Sequence, residues 1–149
     1  MMQLFWQHGS DPRFYLFVFG TMVGSVILGS LAVGLTQSVM SGDLAFVVFV
    51  PVISAIGAGL AIPLAFALWI VPSALIFSVC MMRFEPTFGT LKAVKWSGTI
   101  TALVAALATT YVATDFGRDF DGVGSVMFYF GPAAVGLAPW VARKAYLPG

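Results

Sequence analysis

The chain has 149 residues, 60% of them hydrophobic and only 9% charged, with a net charge of +1. An average soluble domain is about 25% charged, so a water-soluble globule of this length lacks the polar surface to cover its apolar mass. The near-zero net charge supplies no field for nucleic acid, and the lone cysteine, Cys80, excludes an internal disulfide or a thiolate metal cluster within one chain.

The N-terminal MMQLFWQHGSDPR has no basic region of the kind a cleaved signal carries, and the apolar stretch after it is too long for one. A retained first span is expected over residues 14–36, preceded by Asp11, Pro12 and Arg13 and followed by the turn-like SGD at residues 41–43. Along it Gly20 and Gly24 form a GxxxG pair, and Ser25 to Gly29 and Ser30 to Gly34 extend the stripe of small residues. Such stripes let helix backbones approach closely, which matters in lipid because no hydrophobic effect drives helices together there.

The second run, residues 44–82, contains no Asp, Glu, Lys, Arg or His. A helix of that length would measure roughly 58 Å against a hydrocarbon core of about 30 Å. Pro51, Pro63 and Pro72 interrupt it, and Gly57 and Gly59 loosen its middle. The reading adopted is a proline-broken second element: one span over 44–69, with Trp69 at an interface, then an apolar continuation to residue 82 lying in or under that interface. A hairpin at residues 57–63, giving a fifth crossing, is the alternative. Charge weighs for four crossings, because that topology places every Lys and Arg except Arg118 on the cytoplasmic side, whereas five crossings also put Arg13 outside.

The third span is expected over residues 96–114, with Ala102, Ala106 and Thr110 on one face, and the fourth over 123–142, with Ala134 and Ala138. Arg143 and Lys144 close the fourth. The fold class is therefore an all-α integral membrane protein, a single polytopic domain built as a bundle of four transmembrane helices. The helix-packing candidates are Gly20, Gly24, Gly29, Gly34, Ala102, Ala106, Ala134 and Ala138. Absence of Asn, and hence of any glycosylation sequon, fits a bacterial inner membrane, with both termini cytoplasmic.

Chemistry-bearing patterns are sparse. None of the expected spans holds an ionisable residue of the kind that marks proton or ion pathways. The lone His8 excludes haem held by two histidines of one chain, and GxSxG and HExxH are lacking. The loop DFGRDFDG, residues 115–122, carries Asp115, Asp119 and Asp121 but lacks the further ligands and closing Glu of a calcium loop, so it reads as an acidic outer turn.

No enzymatic activity, cofactor or metal is expected. The leading expectation is a small membrane protein that acts through helix and loop contacts, as an accessory subunit of a membrane complex or an immunity-type protein against a membrane-acting toxin. Its partners would be the lipid bilayer and either a second membrane protein or a copy of itself. The alternative is a small self-associating channel, holin or carrier lined by Ser54, Thr99, Thr101, Thr109, Thr110 and Tyr129.

Overall fold

The computed structural model describes residues 11–114 and 123–147. Within them the chain is all-α, with helices α1 (Pro12–Ser41), α2 (Phe46–Phe88), α3 (Thr90–Ala113) and α4 (Val123–Tyr146). α1, α2 and α3 are each long and apolar enough to cross a membrane. Asp115, Arg118, Asp119 and Asp121 lie outside the described residues, as do Trp6 and His8.

Local chemistry sets the helix ends. Asp11 caps α1 by accepting the Arg13 N–H at 2.9 Å, and Pro12 occupies the first turn, where a missing N–H costs nothing. Gly42 stops the helix in the left-handed conformation, φ 73°, and donates its N–H to the Ser38 carbonyl at 2.9 Å. Asp43 then accepts the Ala45 N–H at 2.9 Å and turns the chain into α2. A single residue, Gly89, separates α2 from α3; its φ of 76° is open to glycine, and Thr90 Oγ1 donates across the corner to the Glu85 carboxylate at 3.0 Å.

α2 departs from the sequence reading. It is one continuous helix of 43 residues, neither broken at Trp69 and Pro72 nor folded into the hairpin at residues 57–63 that a fifth crossing would require. Each internal proline removes one N–H and frees one carbonyl, while every intervening turn keeps its bonds. Gly57 and Gly59 cost at most about 1 kcal/mol each in helix propensity. Reversing the chain there would instead strip several backbone groups of their partners in apolar surroundings, at about 2–7 kcal/mol for each.

The helices form a ring: α1 and α3 each pack against both α2 and α4, while the diagonal pairs meet only at isolated points. The α1–α4 seam is antiparallel, since a Cβ built on Gly20 would lie 3.0 Å from Val141 Cγ1 and one on Gly24 2.8 Å from Leu137 Cδ1, while one on Gly29 would collide with the Phe130 ring. α1 and α2 are antiparallel too. Phe46 lies against Gly34, and Phe66 packs on Tyr15 and Phe19 at ring distances of 6.0 and 6.3 Å.

Between those anchors the two helices keep pace, at about 28 Å along α1 and about 30 Å along α2. Beyond them they do not. From Phe66 to Phe77 α2 advances about 16 Å, yet Phe77 still packs on the same turns of α1, against Phe14 and Phe17 at 5.6 Å each. This part of α2, which contains Pro72, therefore runs across the end of α1 rather than along it. The bending that proline imposes is expressed as a change of direction within an unbroken helix.

The hydrophobic core collects at the same end. Phe14, Phe17, Phe77 and Met81 are buried with Ala93 and Val94 of α3 and Ala138 and Ala142 of α4, and Tyr146 stacks on Phe77 at 5.3 Å. The Tyr146 hydroxyl is buried without a partner among the described residues; burial first, and the Asp11 carboxylate second, push its pKa above the usual tyrosine value against the opposing pull of Arg13. The antiparallel pairings also gather charge. Arg13, Arg83, Lys92, Lys95, Arg143 and Lys144 all fall at this core end, and Asp43 falls at the other.

Candidate functional site

Because the diagonals barely touch, space remains at the centre of the ring. It is a chamber of about 610 Å³ lined by all four helices. Phe17, Val18 and Ser73 lie at its core end, where α2 crosses beneath it, and Ser54, Thr109 and Phe130 lie toward the other. The walls are kept apart by small side chains: Gly57, Ala58, Ala61 and Ala65 on α2, Ala102, Ala105 and Ala106 on α3, and Gly131 and Ala134 on α4. Gly57 and Ala61 are exposed although they line the chamber, which marks its mouth at the middle of α2.

The electrostatics of the chamber are simple, because among the described residues no Asp, Glu, Lys, Arg or His lines it. Six side-chain hydroxyls do. Thr21 donates to the Phe17 carbonyl at 2.8 Å, Ser25 to Met22 at 2.8 Å, Thr101 to Ser97 at 2.7 Å and Thr109 to Ala105 at 2.7 Å, so four are committed to their own helices. Ser54 and Ser73 have no hydrogen-bond partner among the described residues.

A bound water needs two to four polar partners, which such walls do not supply through most of their height. The arrangement suits a slender apolar guest. Among the described residues its lining holds no carboxylate, imidazole, amine or thiol, and no group of three or more His, Cys, Asp or Glu comes together to hold a metal.

The small residues singled out in the sequence divide between seams and chamber. Gly20, Gly24 and Gly29 face bulky side chains of α4, and Gly34 faces the backbone of Phe46 and Val47. Ala138 is buried, with its carbonyl 3.3 Å from a Cβ built on Gly98, while Ala102, Ala106 and Ala134 line the chamber. Of the hydroxyls proposed for a pore, Ser54, Thr101 and Thr109 reach the chamber. Thr99, Thr110 and Tyr129 are not part of its lining, and Thr99 and Thr110 donate to Lys95 and Ala106 of their own helix.

Gly98 is the residue that sequence reasoning passed over. A Cβ there would meet Ala142 Cβ at 2.8 Å, the Ala138 carbonyl at 3.3 Å and Phe17 at 3.3 Å, so α1, α3 and α4 converge on it. Its signal was present, since Gly98 begins the same four-residue spacing that Ala102 and Ala106 continue.

The Gly20–Gly24 stripe is thus matched by large side chains rather than by small ones, and this sets the expected tolerance. The nearest atom to a Cβ at Gly24 is the far end of a leucine, which can rotate, so Gly24→Ala should change stability little. Gly24→Leu overfills the seam and should lower the melting temperature in detergent by about 3–9 °C. Val26 lines the chamber, where a methylene has room, so Val26→Leu should leave it unchanged within about 2 °C. Equal loss in both variants would show that the seam does not run where the geometry puts it.

Fold and chamber together define an all-α bundle with three membrane-length helices around an apolar cavity. Comparison of the chain with family models, with curated proteins and with solved structures finds no match.

Proposed function

We propose that this is a multi-pass integral membrane protein of a bacterial inner membrane, with both ends cytoplasmic, that works by contact and not by catalysis. It serves as an accessory subunit of a membrane complex, or as an immunity-type protein against a membrane-acting toxin. The observation that carries this reading is the outer face of α2. None of the 18 residues in its most apolar stretch is buried, against a third in α1 and in α3. Val52, Ile56, Leu60, Leu64 and Leu68 form an uncovered aliphatic surface along it. In water such a surface would be a large aggregation liability. In a bilayer it faces lipid or the helix of another protein. The clustering of cations at the core end supports placing that end in the cytoplasm.

The runner-up, a self-associating channel or carrier, draws on the chamber. Its apolar walls and committed hydroxyls favour a resident guest over a hydrated ion path.

The test is a photo-crosslinking residue at Leu60, with one at Phe17 as an interior control, in membranes washed with alkaline carbonate. The protein should stay with the membrane, a reporter fused at Gly149 should read out in the cytoplasm, and Leu60 alone should trap a second polypeptide of one defined mass. Release by carbonate, or a periplasmic reporter, would overturn the placement. A trapped second copy of this chain would transfer support to the channel or carrier reading, and trapping of lipid alone would remove the partner.

A further inference from the structure

We infer that the central chamber is a binding site for a single hydrocarbon tail that carries a carbonyl oxygen, held by a hydrogen bond from Ser73. Ser73 is 4% exposed, lines the chamber at its core end and has no hydrogen-bond partner among the described residues. Thr21, Ser25, Thr101 and Thr109 around the same cavity are paired within their own helices, and the other unpaired buried serines, Ser38, Ser78 and Ser97, do not line it. Trp69, one turn earlier on the same helix, also lines the chamber. Above Ser73 the lining is apolar apart from hydroxyls bonded to their own helices and the half-buried Ser54 near the other end, so the buried free hydroxyl stands at the core end of a mainly greasy wall. Those are the demands of a fatty acyl chain with its carboxyl or ester at one end.

Shape selects among apolar occupants. The chamber spans about 13 Å of α1, from Phe17 to Val26, and about 28 Å along α2, from Ser54 to Ser73, so it is elongated along the helices. The volume falls within the usual range for small-molecule sites, about 300–1,000 Å³. Entry is through the mouth at Gly57 and Ala61, which opens partway along the most apolar helix of the chain. The tail therefore comes sideways from the bilayer, and this step rests on the membrane placement proposed above.

The experiment uses Trp69 as its own reporter, in a full-length chain in which Trp6, Trp96 and Trp140 are replaced by Phe. The probes are a dibrominated stearic acid, a phosphatidylcholine with the same brominated chain, and a dibrominated alkane without a carbonyl, each added to protein in detergent micelles. Fluorescence quenching should saturate at about one probe per chain. Ser73→Ala should weaken the carbonyl-bearing probes by about fivefold and leave the alkane unchanged. Ala105→Phe, which fills the chamber from α3, should abolish the saturable component at an unaltered melting temperature; if that variant does not fold, Ala61→Phe at the mouth takes its place. The tighter of the two carbonyl-bearing probes identifies free fatty acid or phospholipid as the source, and either result supports the site.

Quenching that rises linearly with probe, alike in the filled variant, would overturn the proposal. So would a Ser73→Ala loss that is equal for the alkane. Because the readout is made on the purified chain in micelles, its failure leaves the carbonate and crosslinking tests of membrane placement and partner contact untouched.

Discussion

Gly98→Leu should be the most damaging single change in the bundle, lowering the melting temperature in detergent by roughly 10 °C. The contacts at Gly98 are with groups that cannot swing aside. Ala142 Cβ, at 2.8 Å from the added Cβ, is fixed to its own backbone, and the Ala138 carbonyl at 3.3 Å is backbone itself. Phe17 Cε2, also at 3.3 Å, belongs to a ring locked in the aromatic cluster with Phe14 and Phe77. A larger residue must drive α3 away from α4 and disturb α1 as well, and overpacking of this kind costs about 3 kcal/mol where no collapse is available. At this chain length that corresponds to a shift of about 3 °C per kcal/mol. Gly98→Ala should lose less, and Ala142→Gly on that background should recover part of the loss by removing the nearest atom. A coupling energy near zero in that double-mutant cycle would mean that the two helices do not meet at Gly98.

The fold was legible to different depths at different residues. Helix existence followed from run length, because stretches such as residues 14–36 admit no other economical structure. The Gly20–Gly24 stripe was legible as a packing face, but the sequence does not say which helix a stripe meets. That depends on the ring order, which follows from how four helices share their faces, and the answer, bulky residues of α4, lies at the far end of the chain, beyond the reach of any local pattern: Val141 and Leu137 give no sign of seeking glycine. Gly98 was hidden by its neighbours, since it precedes Ala102 and Ala106 by one step of the same spacing and sits beside a charged boundary at Lys95.

α2 shows why local signals mislead. A break is expected between Trp69 and Pro72, because proline rules are learned where water can receive the freed carbonyl. Within a long apolar helix every neighbouring turn is held in place by the absence of any other donor, so the helix continues and only its direction changes. The chamber was least legible of all. It arises where Gly57, Ala61, Ala102 and Ala134, scattered over three helices, withhold volume together, and it ends near Ser73, where α2 crosses the end of α1. Alanine at any one of them is unremarkable in sequence.

The second large effect is expected at the other end of the bundle, where Gly34→Val should separate the start of α2 from α1. A Cβ at Gly34 would stand 2.7 Å from the Phe46 carbonyl oxygen and 3.3 Å from Val47 Cα, both main-chain atoms. No rotamer change relieves such a contact. The short connection through Gly42 and Asp43 leaves little slack, because Gly42 is bonded to Ser38 and Ala45 to Asp43. The first turn of α2 must therefore shift bodily, and the expected loss is about 2–3 kcal/mol, or roughly 6–9 °C in melting temperature. Gly136→Ala is the matched control. A Cβ there meets nothing within 4 Å, so the substitution should be neutral or gain up to about 1 kcal/mol from helix propensity. The two changes thus differ in sign, although both enlarge a helical glycine. Since Ser54 and the upper wall of the chamber lie two turns beyond Phe46, Gly34→Val should also widen the cavity and weaken the saturable quenching of Trp69, whereas Gly136→Ala should not. Loss of stability with unaltered quenching would place the strain in the connection alone, and tolerance of valine at 34 would show that α2 does not begin against α1.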